Sequence, residues 1–186
     1  MIVGGAALPA QPPDPGPAGG PARQAPAAGA RSPRNASYAI TARLDPASRT
    51  LTGDELITWR NISGRRAETL QFHLYYNAWR NSRSTWMRER SAIDPSLAAR
   101  PEGDWGWIDV TGLRVIPKGG TPIDLLSRAR FIAPDDGNAE DRTVLEVPLD
   151  RAVAPGETIN VQIAWSARVP RPFARTGATG DFYFLA

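Results

Sequence analysis

The chain has no cysteine, one histidine (His73) and one lysine (Lys118) among its 186 residues. Each shortage excludes something. Without thiols there is no Cys nucleophile, no disulfide and no thiolate zinc site. With one imidazole, a His-rich zinc site cannot be assembled, and a Ser-His-Asp triad could be built only around His73. If the chain serves an enzyme, the reactive groups are expected outside these residues. Long apolar runs are missing as well. None approaches the ~20 residues that cross a bilayer, so no membrane span is expected.

What is abundant is Gly (17) and Pro (18), unevenly spread. Residues 1–34 are almost all Ala, Pro and Gly, with Asp14, Arg23, Arg31 and Arg34 as their only charges. Such a segment cannot bury enough apolar area to offset its ordering entropy, so it reads as a disordered tail. Met1 to Ala10 reads either as the end of an apolar signal segment, which implies export to the periplasm or cell envelope, or as an arbitrary small-residue leader. The formal net charge is +3, of which the tail carries two, so residues 35–186 are nearly neutral. No Lys/Arg cluster marks a nucleic-acid footprint there.

From Ser37 onward the apolar period is two, the signature of strands. Tyr38, Ile40, Ala42 and Leu44 share one face, Asp45-Pro46-Ala47-Ser48 turns the chain, and the return strand carries Leu51, Ile57 and Trp59 on one face. Gly53 in its middle predicts a bulge or close packing. Leu70, Phe72 and Leu74 point inward from a third strand, with His73 on its polar side. Residues 77–104 read as a long irregular connection with a helical turn near Thr85–Glu89. Further strands are expected over Trp107–Ile116, Ala129–Ile132, Thr143–Leu149 and Ile159–Val169. In the last of these Ile159, Val161, Ile163, Trp165, Ala167 and Val169 share a face, which makes Trp165 a core anchor. Half-buried strands at short spacing without long helices predict an all-β fold, an antiparallel β-sandwich spanning residues 35–186.

Chemistry is sparse. Gly177-Ala178-Thr179-Gly180 lacks the lysine of a phosphate-binding loop. Asp54 and Glu55 are strand neighbours and point to opposite faces, so they do not converge as a carboxylate pair. Asp135, Asp136, Glu140 and Asp141 lack the spacing of a calcium loop and read as a solvated acidic turn. Trp79, Trp86, Trp105 and Trp107 cluster in and beside the long connection and are expected to anchor it to the sheet; exposed, they would stack on sugars or peptides. Asn35-Ala36-Ser37 and Asn61-Ile62-Ser63 match the glycosylation sequon, which is short enough to arise by chance.

An ordered set of motifs carries more information. Tyr38-x-Ile40, Leu44-Asp45-Pro46, Leu51-x-Gly53-x-Glu55 and Trp59-x-Asn61 are followed by Leu70-x-Phe72-x-Leu74-Tyr75-x-Asn77-Ala78-Trp79 and Pro155-Gly156-Glu157. Gly177, Gly180, Asp181, Phe182 and Tyr183 complete the set. Over residues 37–186 the chain resembles the N-terminal domain of the M1 family of zinc metallopeptidases, the aminopeptidase N-like proteins, of a bacterial type. The resemblance implies a saddle-like β-sandwich that precedes a thermolysin-like catalytic domain, with zinc in that missing domain and no cofactor in this chain. The family's His-Glu-x-x-His and Gly-x-Met-Glu-Asn motifs have no counterpart here, so no catalytic or metal residue is carried over, and the chain reads as a fragment cut near the domain border. Its partners would be the catalytic domain of the same polypeptide and a peptide substrate at the border. The apolar run at Asp181, Phe182, Tyr183 and Phe184 is the expected interdomain or cleft-border segment, and a residue lining the substrate's amine site would be expected just past Phe184. The alternative is a stand-alone β-sandwich that binds a partner protein or a glycan, or a non-catalytic relative of the family. The bland reading of the apolar run is that it is simply the last strand, covered within the chain.

Overall fold

The computed structural model describes residues 34–172 and 176–185. Of the tail read as disordered (residues 1–34), residues 1–33 lie outside the described residues. The rest is an antiparallel all-β sandwich with one short helix. Its strands are β1 (Ala36–Asp45), β2 (Thr50–Arg60), β3 (Ala67–His73), β4 (Trp107–Ile116), β5 (Ile123–Asp124), β6 (Arg130–Ile132), β7 (Val144–Val153), β8 (Thr158–Arg168), β9 (Gly177–Thr179) and β10 (Phe182–Phe184). A five-stranded sheet runs β1-β2-β8-β4-β5, and a three-stranded sheet runs β3-β7-β6. β9 and β10 form a separate hairpin.

Alternation decides which side of each strand meets the core. Ile57, Ile159, Val161, Ile163 and Leu113 from the large sheet pack against Leu145, Val147 and Val153 from the small one, with Leu74 and Leu125 in the same cluster. Leu113, Leu125 and Val147 are fully buried. A side chain of this class contributes about 1.5–3 kcal/mol on burial, which makes this cluster the main source of stability.

Two buried asparagines bolt the sheets together. Asn61, at the end of β2, donates from Nδ2 to the Val153 carbonyl of β7 at 3.0 Å and to the Arg65 carbonyl at 2.7 Å. Its Oδ1 accepts from the Ser63 amide and hydroxyl. Asn77 lies in the 3-10 turn Tyr75–Trp79. It accepts from the Ile108 amide of β4 at 3.0 Å and donates to the Arg142 carbonyl, just before β7, at 2.9 Å. Each asparagine is 1% exposed, so both amides are held inside the protein. The Asn61-Ile62-Ser63 sequon is thus a structural turn.

Several local expectations are corrected. The helical turn near Thr85–Glu89 is a nine-residue helix, α1 (Thr85–Ile93). Ser84 caps it, accepting from the Met87 amide, and Met87 is its fully buried anchor. The acidic turn is not wholly solvated. Asp141 is buried, accepts from the Thr85 and Thr143 amides, and so clamps the helix start. Burial pushes its carboxyl up, but the hydrogen bonds from Thr143 and Thr85 outweigh this and hold it below its usual range. β7 runs on through Pro148 to Val153 instead of stopping at Leu149. β6 pairs only as far as Glu146, and the β3 side changes register between Ala67 and Thr69, so Pro148 interrupts little. Of the tryptophans in the connection, Trp79 is buried and meets Trp86 edge-on at 6.4 Å. Trp105 and Trp107 are half-buried under Arg100 and Arg80.

Candidate functional site

The two sheets are of unequal width, and the site follows from that. The three-stranded sheet covers the middle of the large sheet's inner face and leaves the β1 side open. Between β1 and β3 runs a groove of about 580 Å³. Its floor comes from β2, β8 and β4, including Ile57, Ile163 and Val110, and its far wall from Leu70, Phe72 and His73 of β3. Tyr38 stands on the near wall, 61% exposed, and Ile40 beside it on β1 is 58% exposed.

Register explains the floor. Ile40 pairs with Glu55, Glu55 with Ile163, and Ile163 with Leu113, so these four side chains form one row across the inner face. Glu55 therefore stands in the middle of an apolar row. It has no hydrogen-bond or ion-pair partner among the described residues. Burial alone pushes its carboxyl above the usual value of 4.5. Five other carboxylates are shifted the opposite way, each by donors: Asp45, Asp136, Asp141, Glu146 and Glu157.

The next row runs Ala42, Gly53, Trp165, Val110. The Trp165 indole lies across Gly53, where a Cβ would come within 2.3 Å of the ring. Close packing, and not a bulge, is the role of this glycine, since β2 pairs with both neighbours without a register shift. Trp165 packs on the core, as its strand predicts, but stays only half-buried because it floors the open groove. His73 is exposed at the rim, its ring edge-on to Tyr75 at 4.2 Å.

The residues read from sequence as a border segment lie elsewhere, in the β9–β10 hairpin. Gly180 (φ +54°) and Asp181 form its turn, and Phe182 pairs with Thr179. The hairpin is tethered at both arms. Buried Thr176 shares a hydrogen bond of 2.8 Å with the Tyr76 hydroxyl and donates to the Phe184 carbonyl at 3.1 Å. The Ala178 amide donates to the Pro170 carbonyl, and Tyr183 donates from its hydroxyl to the Pro46 carbonyl at 2.8 Å. Tyr183 and Phe184 are half-buried, while Phe182 is 65% exposed with its ring 6.2 Å from that of Phe184. The run is paired within the chain, and Phe182 remains uncovered among the described residues.

From sequence, Glu55 enters only as a neighbour of Asp54 and as part of a motif, although its alternation places it on the apolar face. Residues 51, 53, 55, 57 and 59 share a face, so the carboxylate belongs with Leu51, Ile57 and Trp59. No three His, Cys, Asp or Glu side chains converge as a metal site among the described residues. No helix among them is long and apolar enough to cross a membrane.

No protein-family model matches the chain, and no curated protein matches it. Among solved structures, the CBM3a-L domain with flanking linkers from scaffoldin CipA of the cellulosome of Clostridium thermocellum is similar over 81% of this chain and 80% of that one. The identity is 11% and the TM-score 0.35, too low to carry an argument.

Proposed function

We propose that the chain is the non-catalytic N-terminal module of a zinc aminopeptidase of the M1 type. On this reading it packs on a catalytic domain in the same polypeptide, and the β9–β10 hairpin borders the peptide cleft. The observation that carries the reading is the ordered motif set, whose residues hold the structural posts of the domain. Asn61 and Asn77 bridge the two sheets, Gly53 seats Trp165, and Gly180 with Asp181 turns the hairpin. The tethered hairpin holds Phe182 outward next to exposed Leu185, an apolar edge that this reading assigns to docking. On this reading zinc and the hydrolytic step belong to the catalytic domain. The module would contribute shape and wall.

The coding sequence beyond Ala186 tests the proposal first. An in-frame His-Glu-x-x-His motif followed by a downstream Glu is expected, and its absence refutes the aminopeptidase reading in favour of a stand-alone binding domain. In the full polypeptide, Phe182→Asp is then expected to loosen the domain border. Protection of Phe182 and Phe184 from amide exchange should fall, and kcat/KM for aminoacyl substrates should drop by about tenfold, as misplacement at a cleft wall typically does. Unchanged protection and unchanged kinetics would place the border elsewhere.

A further inference from the structure

We propose that the groove between β1 and β3 is a binding site for a small organic ammonium ion, an apolar body with one cationic head, whose charge is met by Glu55. The proposal concerns a different face from the hairpin and does not depend on the aminopeptidase reading.

Glu55 is the reason. Two strand carboxylates on the small sheet have basic partners: Glu146 pairs with Arg130 at 2.6 Å, and Asp150 with Arg128 at 3.1 Å. Among the described residues Glu55 has no such partner, although it stands between Ile40 and Ile163 on the inner face. A carboxylate held in apolar surroundings without a counter-charge is a local cost. An isoleucine or valine at this position would continue the row and fill the groove. The groove thus carries one unmet negative charge on an otherwise apolar floor.

The shape and lining narrow the class of ligand. A volume of about 580 Å³ is within the range of small-molecule sites, ~300–1,000 Å³, which are mostly apolar with few polar groups. An anion would be repelled by Glu55, and a neutral apolar molecule would bury its charge further. A metal ion needs several hard ligands, and no three acidic or imidazole groups converge here. A monocation with an apolar body answers both features. Its head can reach the carboxylate, and its body can lie on the Trp165 indole and against Tyr38 and Phe72, whose faces attract cations as well. An extended peptide would pair with the open strand edges of β1 and β3, a mode that makes no use of Glu55.

The test uses the whole chain, with phenethylammonium as probe and 2-phenylethanol as its uncharged counterpart. Binding is followed by amide and indole chemical shifts in NMR. The ammonium is expected to bind at least about tenfold more tightly than the alcohol, with the largest shifts at Glu55, Ile40 and the Trp165 indole, because an ion pair in a partly desolvated site favours the charged form. Glu55→Gln should remove that preference while leaving the spectrum dispersed. Ile40→Lys places a cation of the protein's own directly across from Glu55, and it should abolish ammonium binding without unfolding the chain. Equal affinity for ammonium and alcohol, retention of the preference in Glu55→Gln, or shifts that map outside the groove would each overturn the proposal. So would binding seen only with lysine-bearing peptides, which would make the groove a protein-docking site.

Discussion

The inner face of the large sheet has two sides with opposite fates. At the β4 side, Leu113 is fully buried beneath Leu125 and the small sheet. Three strands away in the same row, Ile40 is more than half exposed. Both residues point to the same face, Leu113 after a register shift in β4 between Val110 and Gly112. The difference is in what lies above them. β5 extends the sheet past β4 and sets Leu125 beside Leu113 in the core, whereas β1 is the sheet's other edge and nothing described covers it. Alternation tells which way a side chain points. Only the width of the opposing layer tells whether anything meets it.

Replacing one residue on each side breaks the comparison most directly. Leu113→Ala is expected to cost about 2–5 kcal/mol, the range for buried leucines that leave a cavity. Ile40→Ala should stay within about 0.5 kcal/mol of the parent, as exposed positions do. Urea midpoints measure both, and similar losses would mean that β1 is covered after all. Next in size is Gly53. Gly53→Val sets a side chain against the Trp165 ring and should cost about 1–3 kcal/mol by overpacking. In a Trp165→Leu background that cost should largely vanish, so additivity of the two changes would show that the ring does not lie across the glycine.

The asparagine bolts come next. Asn61→Ala leaves the Val153 and Arg65 carbonyls without their donor and should cost about 1–3 kcal/mol, seen as an earlier thermal midpoint. No change there would mean that water replaces the amide. The smallest effects belong to two carboxylates, one on each side. Glu157 is held down to about 2 by the Arg151 guanidinium and the Ala154 amide. Its stabilising effect is present above the ordinary 4.5 and is lost as the pH falls from there toward about 2. Glu55 is shifted upward by burial, so its ionisation above 4.5 opposes folding as the pH rises. Glu157→Gln should therefore flatten the acid limb of a stability–pH profile, and Glu55→Gln should raise stability on the neutral side. Identical profiles for parent and Glu55→Gln would mean that Glu55 is solvated.

The strands were largely legible because their signal is local. The bounds of Trp107–Ile116 and of the long strand near Ile159–Val169 read off almost residue for residue, though the register shift between Val110 and Gly112 does not show in the sequence. The helix Thr85–Ile93 was read as no more than a turn because one buried methionine makes no apolar stripe. Its real signals were the cap at Ser84 and a clamp from Asp141, far away in sequence. Of the hairpin at Gly177–Phe184, the sequence shows its second arm, Asp181–Phe184, as an apolar run, though Gly180-Asp181 offers the right residues for a turn. Glu55 was hidden in plain alternation, and what makes it a candidate, the lack of cover and of any arginine beside it, is set by strands from other parts of the chain.

The buried amide of Asn61 has a consequence for anyone producing this protein. Ribosomal synthesis presents Asn61-Ile62-Ser63 as an open acceptor before the sandwich has closed around it. A host whose secretory route transfers sugars to nascent Asn-x-Ser would place a bulky, water-seeking oligosaccharide on the nitrogen that must later reach Val153 and Arg65. Folding and sugar addition at that residue exclude one another, whereas Asn35 is exposed beside β1 at the edge of the groove, where a sugar would spare the core and crowd the groove. Yield from a yeast or insect secretion system should therefore depend on which event comes first at a single side chain.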